Sequence, residues 1–442
     1  MKINFLENLN HCSCGKKHLS DIKNILIGKN TIEKLPEELK EFNAKKVFLL
    51  TDTNAYNAAG ERVINVLSNA GIPYSKYIFK EAKLEPDEFS VGSAIMHYDH
   101  TCDVIIGIGS GVINDISKIL SNTSNKPYII VATAPSMDGY ASSTSSMSMD
   151  GLKVSLSSKC ADVIIGDTNI LKNAPVNMLK AGLGDMLAKY ISICEWRISN
   201  LITGEYYCEV IANLVRTSLK KCVDNAEGLL ERDDASIELV FEGLVVCGIA
   251  MAYAGISRPA SGVEHYFSHI WDMRGLEFGI DTKLHGIQCA YGTYLAVKLY
   301  NQIKKITPDK QKGINYAKTF DFEKWSNELK TFLGSGSDVM IAQEEKEQKY
   351  NADKHKKRLD IIIEKWNDIL DIINSELPDF VQLKDLYEKI DLPDKSEKIG
   401  VNSEILSMTF KSTKDIRDKY VLSRLAWDLG IIDELKISDE RF

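Results

Sequence analysis

The chain has 442 residues, of which 44% are hydrophobic and 26% charged, with a formal net charge of −8. That length exceeds one ordinary core and predicts a globular protein of two domains. The acidic balance excludes a general binder of nucleic acid or acidic membrane, which needs clustered Lys and Arg to neutralise phosphates.

The opening residues "MKINFLENLN" lack the apolar core of a secretory signal. No apolar run approaches the roughly 20 residues of a membrane span. Nine cysteines are scattered, mostly singly in apolar stretches such as "LVVCGIAMAY", as expected for buried thiols in a reducing cytosol, so a cytoplasmic protein is expected. The next stretch, "HCSCGKKH", gathers Cys12, Cys14 and His18 with His11. Its CxC spacing is tighter than the usual gap between zinc ligands and no second cysteine pair follows, which favours a surface turn.

From there short apolar runs alternate with amphipathic stretches. "KKVFLLT" precedes a helical pattern, "CDVIIGIGSG" runs into "VINDISKILSN", "KPYIIVATAPS" ends in a polar loop, and "ADVIIGD" closes the series. Such alternation predicts an α/β domain with a largely parallel sheet, which binds ligands beyond the carboxyl ends of its strands. Gly109 and Gly111 form a turn between a strand and a helix, where main-chain amides and the helix N-terminus suit a phosphate. The spacing is not the dinucleotide fingerprint GxGxxG, since the third glycine would fall at Asn114, and tight packing explains the turn as well as phosphate does. Asp52, just past a strand, is read as a ribose acceptor or as a helix N-cap. "TAPSMDGYASSTSSMSMD" supplies a third strand-end loop, rich in hydroxyls and carrying Asp138.

After "ILKNAP" the spacing becomes helical almost throughout, which places a boundary near Leu171 to Pro175 and predicts domains over 1–172 and 173–442. In "KAGLGDMLAKYISICEW", Asp185 lies in an apolar helix with Lys189 four residues on. The pair reads either as a metal ligand with a neighbour or as a simple helix ion pair. "SGVEHYFSHIWDM" puts His265 and His269 on one helix face, and His285 begins the next helical run. One carboxylate and two imidazoles would hold an ion with positions open for substrate, although the dispersed set has no specific signature of its own. The charged segment from Gly334 to Lys365 is expected to be a solvated helix or a mobile insertion.

In this order "IGSGVIND", "TAPSMDGYAS", "AGLGDMLAKY", "SGVEHYFSH" and "LHG" resemble the glycerol-1-phosphate dehydrogenases, in the superfamily of iron-containing alcohol dehydrogenases, glycerol dehydrogenase and dehydroquinate synthase. The resemblance covers roughly residues 20 to 300 and looks nearest to the bacterial metal-dependent branch. It implies an N-terminal α/β nucleotide domain, an all-helical C-terminal domain, and a cleft for cofactor and metal. Asp185, His265 and His285 match the metal ligands. Asp138, His269 and Asp185 match the substrate-binding and catalytic positions. Asp52, the glycine turn at Gly109, the run Gly111, Val112, Ile113, Asn114 and Asp115, the run Thr133, Ala134, Pro135 and Ser136, and Ser142 match cofactor positions. The implied reaction is reversible reduction of dihydroxyacetone phosphate to sn-glycerol 1-phosphate with NAD or NADP. The implied ion is Ni²⁺ or Zn²⁺, with Fe²⁺ as a third choice, and the assembly a homodimer, which no interface pattern derives. An unphosphorylated-polyol dehydrogenase and a non-catalytic nucleotide- or metal-binding sensor are the alternatives.

Overall fold

A computed structural model describes residues 11–81, 83–149 and 152–438; residues 1–10, where a signal was sought in the sequence, lie outside the described residues. Two compact units divide the chain: Met1–Met186 with Val210–Ile256, and Leu187–Glu209 with Ser257–Phe442.

The first unit is built on six parallel strands, β1 (Asn24–Gly28), β2 (Val47–Asp52), β3 (Tyr74–Phe79), β4 (Val104–Gly109), β5 (Tyr128–Ala132) and β8 (Val163–Asp167), in the order β1-β8-β5-β4-β2-β3. The four expected runs are its inner strands, β2, β4, β5 and β8. They are buried almost residue for residue, because helices cover both faces and leave no reason for polar alternation. The edge strand β3, "YSKYIF", is only partly buried and more polar. The chain moves to one side of β2 to form β3 and to the other to form β4, β5 and β8. The strand order therefore reverses at the carboxyl ends of β2 and β4, where parallel sheets open a crevice for ligands.

The hydroxyl-rich stretch after β5 is not a loop throughout. Its second half is β6 (Thr144–Met149), paired antiparallel with β7 (Leu152–Ser157). Ser145 and Met147 are buried, and Ser146 is less so. The serines hid the strand because its inward side mixes a hydroxyl, Ser145, with the apolar Met147, so polar and apolar residues do not alternate cleanly.

Helix α1 (Gly111–Ser124) follows β4, and α2 (Val176–Leu187) follows β8. The switch from strands to helices thus falls near the predicted Leu171 to Pro175. The compact units follow another line, because most of α2, most of α4 (Glu209–Asp224) and all of α5 (Asp234–Ala254) belong with the sheet. Contact at van der Waals distance explains this grouping. A Cβ on Gly166 of β8 would lie 2.2 Å from the Phe241 ring of α5. A Cβ on Gly182 of α2 would lie 1.8 Å from the Pro135 carbonyl oxygen. Helix α5 has 21 residues, and an 18-residue stretch of it reaches a mean hydropathy of 1.8, long and apolar enough to cross a membrane, where the sequence showed no apolar run of that length. It is the core helix of this unit: most of that stretch is buried, and Glu238, which accepts a 2.7 Å hydrogen bond from Thr168 Oγ1, interrupts the apolar run.

The second unit is helical: α3 (Lys189–Thr203), α6 (Val263–Phe278), α7 (His285–Ile303) and a series of shorter helices to Asp428. The charged segment after Gly334 is helical, as one of the two expectations had it, but it is not solvated on every side. It forms two helices, Ser337–Glu347 and Ala352–Glu364, whose Met340, His355, Leu359 and Ile362 are buried. Arg358 grips both oxygens of the buried Asp428 at 2.8 Å, so its charge is spent inside the fold.

Candidate functional site

In the first unit the candidate positions gather at the carboxyl ends of β2, β4 and β5. Thr51 of β2 pairs with Ile108 of β4, which brings Asp52 and Gly109 to the same level at the reversal of strand order. Asp52 Oδ1 accepts the Ala55 amide at 2.9 Å and so caps the short helix Thr53–Ala55; the turn reading of this aspartate describes its packing. Gly109 is required locally, because a Cβ there would sit 2.5 Å from Ile113 Cβ. Gly111 is different. A Cβ there would meet nothing nearer than Met137 Cγ at 3.5 Å, so no neighbour in the chain demands its absence. At the first position of α1, glycine leaves room for something approaching the helix amides from outside.

Val112 is half-buried, Ile113 and Asn114 are buried, and Asp115 sits near Lys118 at 3.5 Å. Asn114 works inward: its amide donates to the Gly139 carbonyl at 3.1 Å and its oxygen accepts from Tyr128 Oη at 3.1 Å. Lys118, fully buried, donates to the Gly139 and Thr144 carbonyls at 2.6 and 3.0 Å. These bonds tie α1 to the loop after β5. The loop is pinned at successive residues. Thr133 N–H donates to the Gly109 carbonyl, Tyr140 Oη donates to the Ala134 carbonyl at 2.6 Å, and Pro135 rests on Gly182. Ser136 and Ser142 are nearly buried, with Ser142 Oγ 2.9 Å from Thr144 Oγ1.

Gly182 also settles Asp185, one turn further along α2. With the helix drawn against the loop, the fully buried Asp185 accepts the Asp138 amide on Oδ2 at 2.9 Å, and carboxylate oxygens of the two aspartates come within 4.8 Å. Helix α2 ends at Leu187 and α3 begins at Lys189, so Asp185 and Lys189 are not on one continuous helix. Lys189 is buried, with Nζ donating to the Ala260 carbonyl at 3.1 Å.

In the second unit, α6 and α7 bring all three sequence-predicted histidines together. Ring centroids of His265 and His285 are 5.0 Å apart, and those of His269 and His285 are 6.0 Å apart. Glycine 292 makes the approach possible, because a Cβ there would lie 2.6 Å from the Glu264 carbonyl oxygen. His285 is the first residue of α7, where Leu284 ends the preceding loop. Nδ1 of His265 lies 2.8 Å from Glu264 Oε1, and Nδ1 of His285 lies 3.0 Å from Ser268 Oγ. The Glu264 carboxylate only accepts, so Nδ1 of His265 donates and its Nε2 is the basic nitrogen, while the Ser268 hydroxyl, able to donate or accept, orients the His285 ring. His269 is partly accessible; burial, then the charges of Arg417, His285, His265 and Lys419, hold its imidazole well below the usual range.

Three residues at this site escaped the sequence reading. Cys289 lies one turn along α7 from His285, with Sγ 3.5 Å from its Nε2, and offers a thiol within 4.8 Å of His265 and His285 donor atoms. Burial raises this thiol, but the two histidines outweigh it and hold it below the usual range. The signal was a histidine and a cysteine four residues apart on a helix, masked by the apolar neighbours of the cysteine. Glu264, fully buried, accepts from the Gly262 amide at 2.7 Å through the same Oε1 that meets His265. Glu195 of α3, also buried, accepts from Val263 N–H at 2.8 Å, Leu422 N–H at 2.8 Å and Tyr300 Oη at 3.3 Å. Burial and the nearby Glu264 charge push its carboxyl up to about 8. Nothing in sequence spacing joins residues 195, 264 and 422.

Residues 26–175 match the family model described as iron-containing alcohol dehydrogenase. The chain is 34% identical over 299 residues to a glycerol-1-phosphate dehydrogenase [NAD(P)+] of Halalkalibacterium halodurans, covering 66% of this chain and 75% of that one. It is 32% identical over 279 residues to the enzyme of the same name from Methanosarcina barkeri, covering 63% and 76%. Among solved structures, glycerol dehydrogenase from Schizosaccharomyces pombe shares the fold at a TM-score of 0.58 and 18% identity, covering 93% of this chain and 88% of that one. A 1,3-propanediol oxidoreductase shares it at 0.61 and 14%, covering 94% and 98%.

Proposed function

This chain belongs to the glycerol-1-phosphate dehydrogenase family, and from that premise we propose that it is itself a cytoplasmic, metal-dependent oxidoreductase that reduces dihydroxyacetone phosphate to sn-glycerol 1-phosphate, reversibly, with NADH or NADPH. The observation that carries the reading is the pairing of His265 and His285, each with Nδ1 held by a buried side chain, the carboxylate of Glu264 leaving Nε2 of His265 basic. That donor chemistry fits a divalent ion.

We assign Asp185, His265 and His285 as the ligands. The assignment is supported by the order of their motifs and by the burial of Asp185 and His265. Nickel or zinc suits two imidazoles and a carboxylate, with iron(II) close behind. When bound, the ion supplies Lewis-acid polarisation of a ketone oxygen, and the nicotinamide supplies hydride. The protein's own contribution is placement. Gly111 and the start of α1 receive the cofactor's phosphates, while the Thr133–Ser136 run and Ser142 line its path. Asp52 keeps one carboxylate oxygen beyond its capping bond for a ribose hydroxyl, and its charge favours NAD over the 2′-phosphate of NADP. Asp138 orients the substrate hydroxyls with Asp185 beside it. His269, a ring whose charged form is disfavoured, hydrogen-bonds the substrate and passes the alcohol proton to solvent. A homodimer is part of the same proposal.

The test is to strip metal from the purified protein, restore Ni²⁺, Zn²⁺ and Fe²⁺ separately, and follow NADH oxidation with dihydroxyacetone phosphate. A stereospecific coupled enzyme reads the product's handedness. Metal-restored oxidation giving sn-glycerol 1-phosphate is expected. NADH binding without oxidation of this substrate by any metal form overturns the reading; unphosphorylated ketones then test a polyol dehydrogenase, and silence with those too leaves a sensor.

A further inference from the structure

The N-terminal motif "HCSCGKKH" does more than turn. The Gly15 amide donates to the Cys12 carbonyl at 3.0 Å and Gly15 takes φ +79°, so the chain curls tightly immediately after Cys14. A turn was expected there, but a surface turn leaves its histidine in solvent, and His18 is fully buried. Its ring is held at both nitrogens: Nδ1 lies 3.1 Å from the Tyr253 carbonyl at the end of α5, and Nε2 lies 3.3 Å from Cys14 Sγ. A carbonyl accepts but cannot donate, so Nδ1 carries the proton and Nε2 presents its lone pair to the sulfur side. This main-chain hydrogen bond on the far nitrogen is how proteins orient ligating histidines. Cys12 and Cys14 are thiols without a disulfide, and their sulfurs lie with His18 Nε2 or Nδ1 in a group whose donor atoms are all within 4.8 Å of one another.

From this geometry we propose a second metal site, distinct from the histidines of α6 and α7, in which Cys12, Cys14 and His18 Nε2 bind a thiophilic divalent cation of the zinc class. Tetrahedral zinc with S and N ligands has donor edges of about 3.5 Å between S and N and about 3.8 Å between two sulfurs. The 3.3 Å between Cys14 Sγ and His18 Nε2 is already close to the first of these. The one-residue gap between the cysteines, tighter than usual, is accommodated by the Gly15 turn. Binding converts both thiols to thiolates with release of their protons, and the fourth position goes to water or to another donor of the chain. No step of the proposed reaction uses these residues, so the ion is structural: it clips residues 12–18 to the carboxyl end of α5 through the His18–Tyr253 bond.

Elemental analysis of the purified full-length protein tests the site. The Cys12→Ser/Cys14→Ser double variant should hold one zinc equivalent fewer than the parent. The His265→Ala/His285→Ala variant loaded with cobalt(II) should keep a near-ultraviolet thiolate-to-cobalt band that vanishes when Cys12 and Cys14 are also replaced. If the double cysteine variant fails to fold, alkylation of the parent protein decides. The peptide bearing Cys12 and Cys14 should be protected with zinc and modified after chelation. Unchanged zinc content in the folded variant, or equal alkylation with and without chelator, overturns the proposal. Recovery of the peptide as a Cys12–Cys14 disulfide that zinc does not prevent overturns it in favour of a redox pair.

Discussion

At the carboxyl ends of β2, β4 and β5 the candidate cofactor loops are shaped by main chain, whereas along α6 and α7 the candidate ligands are placed by side chains that other side chains hold. In the first region Gly182 lets Pro135 rest on a helix, Tyr140 pins a carbonyl, and Asn114 and Lys118 spend their polar groups on neighbouring backbone. In the second, Glu264 fixes the tautomer of His265, Ser268 holds the ring of His285, and Glu195 gathers amides from two distant segments. The lesson is one of tolerance. A main-chain site should fail when atoms are added, and a side-chain site when functional groups are removed.

The largest effect expected is from His265→Ala. Losing a ligand to a Lewis acid worth several kcal/mol should lower metal-dependent turnover by at least about 10³-fold while circular dichroism shows a folded chain. Substantial activity in the metal-depleted variant would break the ligand assignment. Next comes Gly182→Ala. One added methyl, 1.8 Å from a main-chain oxygen, should cost about 3 kcal/mol of stability and raise the KM for NADH through the displaced Thr133–Ser136 loop. An unchanged melting temperature would contradict the close packing.

Glu264→Gln removes charge and keeps shape. Metal affinity measured by titration should fall roughly 10-fold, in the range seen when partners of ligating histidines are altered. A fall no larger than that from a distant surface substitution would show that the tautomer is set elsewhere.

Glu195 sharpens the comparison through pH. Its carboxyl is raised from an ordinary 4.5 to about 8, so the folded chain keeps a proton that the unfolded chain releases. Its contribution is therefore fully present below about pH 4.5 and is lost as pH rises through about 8. Glu195→Gln should flatten that decline in denaturant midpoints; a profile parallel to the parent's would sink the assignment. The smallest effect is at Asp52, where Ala should cost about 1 kcal/mol as a lost cap and move cofactor preference towards NADPH. Unchanged stability and an unchanged NADH-to-NADPH ratio would remove Asp52 from both roles.

Much of this was legible in the chain before any fold was in hand. Four of the parallel strands announced themselves as unbroken apolar runs, because a strand covered on both faces has no polar side to interrupt it. Gly109, Gly111 and the helical pair His265 and His269 were visible for a related reason: local backbone geometry and helix periodicity are written over a few consecutive residues. The serine-rich hairpin was not, since its inward side mixes Ser145 with Met147 and serines stand on both faces. The buried side of the charged helices after Gly334 was not either, because Arg358 and Asp428 pair across 70 residues of chain.

What the sequence determined by itself, then, was the α/β-then-helical order of elements and the residue types able to hold a phosphate and a metal, all of them set by short-range pattern. What only the tertiary structure decided was which distant groups meet: Glu195 reaching Val263 and Leu422, and His18 turned inward onto Tyr253. Those contacts join segments up to 235 residues apart. A buried polar group must find its partner wherever packing brings one, and no local spacing encodes that choice.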